Sequence, residues 1–324
     1  MARDMTHAIQ VHRFGGPDVL QWKSNEPAAL APGDVRIRHS AIGLNFVDVY
    51  ERSGLYQRAL PFIPGHEAAG VVVEVGRAVR RLKVGDRIAY ANADVGAYTQ
   101  ERTIDADRLV KLPDAINDRS AAALMLKGLT AHMLVRRVFP LAKHHVALIH
   151  AAAGGVGSIL VQWAKHIGAT VIALVGSEQK RELVRARGVD HVWLSSEPWG
   201  ERIRALNGVD VVYDSVGKDT FLESLDCLKP RGMMVTFGNA SGPPPSISPL
   251  ELAKRGSLFL TRPSLFDYIT TLDELEPAAQ ELFELTARSV IGVHIGQTYP
   301  LQDASRAHRE LESRHTTGST VLLP

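Results

Sequence analysis

The sequence predicts an α/β protein of two domains, a β-rich domain followed by a doubly wound parallel-sheet domain. The chain has 324 residues, which is too many for one average hydrophobic core. From about residue 6 to 112 it shows short β-branched runs between Gly and Pro turns, among them Val35–His39, Gly70–Val75 and Asp86–Tyr90. From about residue 128 to 262 strands alternate with helices, as in a parallel sheet with helices on both faces.

The second region contains six predicted strands, the number found in a doubly wound nucleotide-binding domain. They are Val146–His150, Val171–Val175, Val189–Leu194, Val209–Tyr213, Met233–Phe237 and Ser257–Thr261. The last strand is apolar and would form an unpaired sheet edge in a monomer. This predicts a homodimer.

The rest of the chain is predicted to add a long helix and then a strand, a helix and a strand. These elements are Leu272–Ala287, Gln297–Tyr299, Ala304–Ser313 and Thr320–Leu323. We expect the tail to return to the first domain. The predicted division is therefore residues 1–127 with 288–324 for the β-rich domain, and residues 128–287 for the nucleotide domain.

A glycine-rich turn, Ala151–Gly157, joins the first strand of the second region to a helix. Gly154 and Gly155 let the backbone approach an anion, and Gly157 lets the helix pack close to the strand. The helix N-terminus offers N–H groups and the positive end of its dipole. The turn predicts a dinucleotide pyrophosphate site contacted by Gly154, Gly155 and Val156, although Ala152 stands at the usual first glycine. The alternative is an ordinary glycine turn.

The end of the second strand predicts which dinucleotide binds. An NAD site normally has an acidic residue here that holds the ribose hydroxyls, whereas this chain has Gly176. The glycine leaves room for a 2′-phosphate, Ser177 can donate to it, and Lys180 and Arg181 supply positive charge. NADPH is therefore favoured over NADH. Two alternatives stay open: Glu178 could bind the ribose after a small shift of the turn, and the basic residues could form a solvated face.

Composition excludes several function classes. The formal net charge is +2 and the charges are interspersed, which argues against a nucleic-acid or membrane surface. Apolar runs stay short of the roughly 20 residues that span a bilayer, and the N-terminus lacks a signal pattern, so we expect a cytoplasmic protein. Cys227, the single cysteine, excludes an intramolecular disulfide. We expect it to pack in the core.

Six segments spread along the chain are collinear with motifs of one known family. They are Ala41–Asp48, Arg52–Tyr56, Lys127–Ala131, Ala151–Gly157, Val212–Gly217 and Thr236–Asn239. These segments resemble the zinc-independent quinone oxidoreductases, the zeta-crystallin-like branch of the medium-chain dehydrogenase/reductases. The resemblance implies a GroES-like catalytic domain, a Rossmann domain, an active-site cleft between them, NADPH as hydride donor and a quinone as acceptor. Fold alone does not fix the substrate.

Hydride transfer to a quinone gives a stable hydroquinone anion, so a few hydrogen-bond donors aimed at the developing oxyanion suffice. The predicted catalytic residues are Asn45, Tyr50, Tyr56 and Lys127. The tyrosines could instead only wall the site or pack. The resemblance also implies cofactor contacts for four residues, Asn45, Asp48, Lys127 and Thr130. In the alternative interpretation, Asn45 and Asp48 are helix caps.

Ligands of such sheets sit beyond the carboxyl ends of the parallel strands. The remaining predicted cofactor contacts lie there: Ser195, Ser215, Phe237, Gly238, Asn239, Ser241 and Arg262. Ser195 stands where similar proteins have a tyrosine on the adenine side. Arg262 could equally be a surface ion-pair partner. Arg314 lies in a turn that resembles a cofactor-clasping tail, and a simple hairpin turn is the alternative.

Gly65-His66-Glu67 is similar to the segment that carries a histidine ligand in zinc-dependent relatives. A catalytic zinc site needs three protein ligands. The relatives' cysteine positions fall at Asn45 and near Leu126 or Lys127, so we predict no metal and interpret His66 as a hydrogen-bonded turn residue. Three functions are weighed: an NADPH:quinone reductase, an NADPH-dependent reductase of activated carbon–carbon double bonds, and a non-catalytic NADPH-binding structural protein.

Overall fold

A computed structural model describes residues 5–92, 94–313 and 316–324. The chain divides into two compact units. The first comprises Met1–Leu129, Ile269–Ala287 and Val293–Pro324, and the second Thr130–Tyr268 and Arg288–Gly292. The first unit is β-rich and the second is built on a parallel sheet, so the predicted α/β fold class is confirmed.

The described strands, in chain order, are β1 Thr6–Val11, β2 Leu20–Asn25, β3 Asp34–Leu44, β4 Glu67–Val75, β5 Arg87–Ala91, β6 Glu101–Asp105, β7 Val110–Lys111, β8 Val146–Ile149, β9 Thr170–Val175, β10 His191–Leu194, β11 Val209–Asp214, β12 Leu228–Thr236, β13 Phe259–Thr261, β14 Ile295–Pro300 and β15 Ser319–Leu323. The α-helices are α1 Phe46–Ser53, α2 Asp118–His132, α3 Gly155–Ile167, α4 Glu178–Arg185, α5 Trp199–Ala205, α6 Phe221–Leu225, α7 Pro249–Lys254, α8 Leu272–Ala287 and α9 Ala304–Glu312.

The first unit is organised around the long strand β3. Within the described residues, a seven-stranded sheet runs β14-β15-β3-β4-β5-β7, with β6 also paired to β3. Val35, Ile37 and Ile42 of β3 are buried and pack in one apolar core with residues of β1, β4, β5 and the tail. β-Branched residues suit this pleated, half-buried surface. The predicted return of the tail is observed, because β15 pairs antiparallel with β3.

Helix α8 belongs to the first unit, whereas the sequence division placed it in the nucleotide domain. Its Leu282 lies against Gly128 of α2, where an added Cβ would lie under 3.0 Å from the leucine side chain. Arg108 also donates to the Thr270 carbonyl just before the helix, at 2.7 Å. The helix therefore packs on elements that lie far back along the chain, a partner choice that its own amphipathic pattern leaves open.

The second unit is a doubly wound sheet. In the described chain its strand order is β10-β9-β8-β11-β12-β13, with parallel pairing throughout. The order reverses between β8 and β11, which is where such sheets bind ligands at their carboxyl ends. The strands are buried on both faces, as expected for a sheet covered by helices. The predicted edge strand does lie at the edge, as β13, and its Phe259 is exposed.

Two smaller expectations have a clear outcome. Cys227 is buried, as expected, although helix α6 ends at Leu225 and the cysteine follows it. Burial raises the pKa of the Cys227 thiol to about 12. Among the described residues, the helices are too short or too polar to cross a lipid bilayer.

Candidate active site

The glycine-rich turn lies between β8 and α3 as predicted. Gly154 is the N-cap of α3 and its helix end has no side-chain cap. The N–H groups of the first helical turn therefore have no side chain of their own to bind. An added Cβ at Gly157 would lie under 3.0 Å from the Ala151 carbonyl oxygen. Gly157 thus permits the close approach of helix and turn that the sequence predicts.

The residues after β9 form the N-terminus of α4. Gly176 is exposed, and an added Cβ there meets nothing within 4 Å. Ser177 caps α4 by accepting from the Lys180 N–H at 3.4 Å. Burial lowers the pKa of Lys180. Arg181 pairs with Glu178 at 3.3 Å and also with Glu197, so Glu178 is held on its own helix.

The loops after β11 and β12 are joined to each other. Gly238 lies so close to Ser215 that an added Cβ would lie under 3.0 Å from its backbone. The Ser241 hydroxyl donates to the Val216 carbonyl at 2.8 Å. Arg262 donates to the Thr236 hydroxyl and to the Gly238 carbonyl, each at 3.0 Å. Arg262 therefore braces the end of β12, and its cofactor contact stays a prediction.

Other predicted contacts lie at the same carboxyl ends. The Ser195 N–H donates to the Val175 carbonyl at 2.8 Å, and the Phe237 N–H donates to the Asp214 carbonyl at 2.8 Å. Asn239 is buried. Thr130 is buried in α2, at the first residue of the second unit. Arg314 lies outside the described residues, so its role stays a prediction.

In the first unit, two polar side chains and one backbone N–H meet at one carboxylate. Glu67, fully buried at the start of β4, accepts from the Asn45 side-chain amide at 2.8 Å and from the Lys127 ammonium at 2.6 Å. Its second oxygen accepts from the Leu126 N–H at 2.6 Å. Asn45 and Lys127 are themselves nearly inaccessible. The structure therefore brings together two of the predicted donors, from β3–α1 and from α2.

Asn45 and Asp48 are helix caps, the alternative that the sequence left open. Asn45 is the N-cap of α1, and Asp48 accepts from its backbone N–H at 2.9 Å, completing a capping box. The Tyr98 hydroxyl donates to the same Asp48 oxygen at 3.0 Å. Burial raises the pKa of Asp48 to about 7, although the charge of His66 opposes this. The predicted cofactor contact of Asp48 stays a prediction.

His66 is hydrogen-bonded at both ring nitrogens. Nδ1 lies 2.7 Å from the Asn92 carbonyl oxygen, and Nε2 lies 3.0 and 3.1 Å from the two oxygens of Glu51. Burial alone would lower the pKa of His66, but the hydrogen bond and charge of Glu51 and the charge of Asp48 raise it. A ring that donates from both nitrogens is the imidazolium form.

Asp48, Glu51 and His66 could in principle hold a metal ion, because their ligand atoms lie within 4.8 Å of one another and all three are buried. Arg58 already pairs with Glu51 at 2.6 Å. Glu51 therefore already meets a guanidinium and the His66 ring, so two of the three candidate ligands are engaged with each other and with Arg58. The prediction that no metal binds rests on this donor set and stays a prediction.

The predicted tyrosines form an aromatic group at the end of α1. The rings of Tyr50 and Tyr56 meet edge to face, with centroids 5.3 Å apart, and Phe46 lies 6.1 Å from Tyr50. Tyr50 is buried, whereas Tyr56 is 38% exposed. Tyr56 is therefore the member of this group with the more accessible side chain.

Several site residues escaped sequence reasoning. The sequence marks Glu67 only as part of the histidine motif, and no local pattern marks Glu51 or Tyr98. His308 also belongs here, since its Nε2 lies 3.1 Å from the Tyr98 hydroxyl. A charged residue that opens a largely apolar strand, as Glu67 does in Glu67–Val75, was the available signal.

Comparison with known proteins agrees with this architecture. A family model described as alcohol dehydrogenase GroES-like domain matches residues 31–114, and one described as zinc-binding dehydrogenase matches residues 155–300. A quinone oxidoreductase of Pseudomonas aeruginosa is 47% identical over 99% of this chain and 100% of its own length. A 2-haloacrylate reductase of a Burkholderia species is 43% identical over 99% of each chain. The crystal structure of Escherichia coli quinone oxidoreductase complexed with NADPH has a TM-score of 0.95 and 47% identity, and covers 98% of this chain and 100% of that one.

Proposed function

Since the chain belongs to the quinone oxidoreductases, the zeta-crystallin-like branch of the medium-chain dehydrogenase/reductases, we propose that it reduces small quinones with NADPH and without a metal. The single observation that carries the proposal is the N-terminus of α3, built on glycine and lacking a side-chain cap. Such a helix end binds the pyrophosphate of a dinucleotide. NADPH, when bound, supplies the hydride.

The residues present fit this cofactor. A side chain at Gly157 or at Gly238 would collide with the backbone of the neighbouring turn, so both positions keep the cradle closely packed. Gly154, Gly155 and Val156 would hold the pyrophosphate. Gly176, Ser177 and Lys180 would bind the 2′-phosphate, because the space around Gly176 is open and Lys180 carries positive charge.

The remaining cofactor residues keep the roles proposed from the sequence. Those at the carboxyl ends of the strands would line the nucleotide: Ser195, Ser215, Phe237, Gly238, Asn239, Ser241 and Arg262. Asn45, Asp48, Lys127 and Thr130 keep the cofactor contacts that the resemblance implies. Arg262 fits such a role through the Gly238 carbonyl that it holds.

Hydride transfer to a quinone requires the protein to align the two reactants and to supply hydrogen-bond donors for the quinone oxygen. Asn45 and Lys127 carry N–H groups that would stabilise negative charge as it develops on the quinone oxygen. Tyr50 and Tyr56 would form the aromatic wall on which the quinone stacks, and their hydroxyls could donate as well. Removing one such donor typically lowers kcat by about a hundred- to a thousandfold.

The test is single-turnover oxidation of bound NADPH by a benzoquinone. Asn45→Ala, Tyr50→Phe and Tyr56→Phe, made separately, should each give a partial loss with NADPH still bound. A bulky residue at Gly155 should abolish cofactor binding instead. An unmodified chain that fails to oxidise NADPH with any quinone would refute the proposal.

The 2-haloacrylate reductase relative favours one second candidate, reduction of an activated carbon–carbon double bond. Such a product needs a proton delivered to carbon or oxygen. Complete loss of activity on deleting one hydroxyl, with NADPH still bound, would favour this candidate. Turnover assays with NADPH against quinones and enones in parallel decide directly between the two, and a protein that binds NADPH without turnover would fit the structural role.

We also propose that the protein is a cytoplasmic homodimer. The exposed edge of β13, with Phe259 solvent-facing, supports dimerisation because an unpaired apolar edge readily pairs with a second copy. The single buried cysteine suits a reducing compartment. Analytical ultracentrifugation of the parent and of Phe259→Lys, which places a charge at the exposed edge, would test the dimer.

A further inference from the structure

We infer that Glu67 is a positioning residue that holds the Asn45 amide and the Lys127 ammonium as one donor pair. The inference rests on the proposed function, since the donors matter through the oxyanion they would stabilise. Both donors bond to the same oxygen, Oε1 of Glu67, at 2.8 Å from Asn45 and 2.6 Å from Lys127. Asn45 lies 22 positions from Glu67 in the sequence, and Lys127 lies 60 positions from it. After these bonds, the amide retains one N–H and the ammonium retains two.

The carboxylate has little freedom to move. Glu67 pairs with Gly43 across the antiparallel ladder of β3 and β4. An added Cβ at Gly43 would lie under 3.0 Å from both Oε1 and the Ala122 carbonyl oxygen. Because Gly43 has no side chain, the Glu67 carboxylate has room to reach α2. The hydrogen bond from the Leu126 N–H to Oε2 fixes the second oxygen.

A second interpretation of the same contacts is that Glu67 only ties the sheet to α2. Breaking a buried ion pair by removing one partner is strongly destabilising, because it leaves a buried charge without compensation. Replacing both partners by neutral groups of similar volume is often neutral for stability. The double variant should therefore recover stability under both interpretations, and Glu67→Gln separates them. If Glu67 only ties the sheet to α2, Glu67→Gln should lose stability but keep its kcat, whereas loss of a positioning residue should lower both.

The experiment compares Glu67→Gln, Lys127→Met and the double variant. We measure the melting temperature, kcat and KM for a benzoquinone, and NADPH affinity by fluorescence titration. Each single variant should melt well below the parent, and the double variant should melt close to it. The kcat of the double variant should stay about a hundredfold or more below the parent. Glu67→Gln should lower kcat by a larger factor than it lowers NADPH affinity, because Asn45 and Lys127 are only two of the many predicted cofactor contacts.

The matched control is the pair Arg36 and Glu74 on the same two strands, joined at 3.0 Å with Arg36 buried. Arg36→Met with Glu74→Gln should recover the melting temperature and leave kcat within about twofold of the parent.

Three results would overturn the inference: full kcat in Glu67→Gln, recovery of kcat together with stability in the double variant, or a double variant that stays as unstable as the single ones. Failure of the proposed function would differ, because the unmodified chain itself would then lack quinone turnover.

Discussion

We expect the preference for NADPH over NADH to depend strongly on Gly176, the residue that follows β9. Replacing it by Asp restores the acid that NAD sites use to hold the ribose hydroxyls. The new side chain fits without moving the fold, because an added Cβ meets nothing within 4 Å and the residue is exposed. The change should therefore act through charge on the cofactor. We expect Gly176→Asp to weaken NADPH and to strengthen NADH.

The magnitude follows from Coulomb's law. Two unit charges about 5 Å apart repel by roughly 1 kcal/mol in water and by about 3 kcal/mol at an effective dielectric constant near 20. Exposure of Gly176 places the site toward the aqueous value, and the second charge of the phosphate raises it. We therefore expect NADPH to bind about five- to a hundredfold more weakly. A new hydrogen bond to the ribose should strengthen NADH by about 0.5 to 1.5 kcal/mol.

The assay is fluorescence titration of both cofactors with the parent and three variants. Gly176→Ala controls for volume, and Gly176→Asn controls for shape without charge; both should keep the NADPH to NADH preference within about threefold. The effect of Asp should shrink as ionic strength rises, because salt screens exposed charges. An unchanged affinity ratio in Gly176→Asp, or an equal change in Gly176→Asn, would refute the placement of the 2′-phosphate.

The remaining predictions concern the cradle, the metal and pH. Gly157→Ala should destabilise the protein and abolish NADPH binding, since its Cβ would collide with the Ala151 carbonyl oxygen. Ala151→Gly should be neutral or stabilising, because Ala151 has a φ of 49°, which glycine adopts without strain. Thermal melts and NADPH titrations compare the two variants with the parent. Purified protein should contain no stoichiometric zinc by elemental analysis and keep its activity in chelator; chelator-sensitive turnover would contradict this. Between pH 4 and 7 folded Asp48, whose pKa is about 7, holds a proton that the unfolded chain has lost, so its contribution to stability falls as pH rises through this window. Asp48→Asn should remove that loss. Urea unfolding at pH 4.5, 6 and 7.5 gives the free energy of unfolding of the variant and of the parent, and the difference should shift in favour of the variant by a few kcal/mol as pH rises. A difference that stays constant would show that Asp48 does not titrate in this range.

The sequence by itself determined the second unit. Its strands, their parallel pairing and the glycine turn follow from patterns that are local in the chain: apolar strands, helical periodicity and glycines at a fixed spacing. The role of Gly176 could also be predicted from the sequence, because the residue directly follows a recognisable strand. The same holds for the capping box of α1, since Asn45 and Asp48 are three residues apart.

The tertiary structure alone decided which groups the buried charges meet. Glu67 meets Asn45 and Lys127, and Tyr98 joins Asp48 to His308, across separations that local periodicity does not report. These pairings depend on the register of β3 with β4 and on the position of α2 against them. Helix α8 is a further case, because its apolar face could pack on either unit. Local patterns specify elements, whereas the partner of a buried polar group is specified by the closure of the whole unit around it.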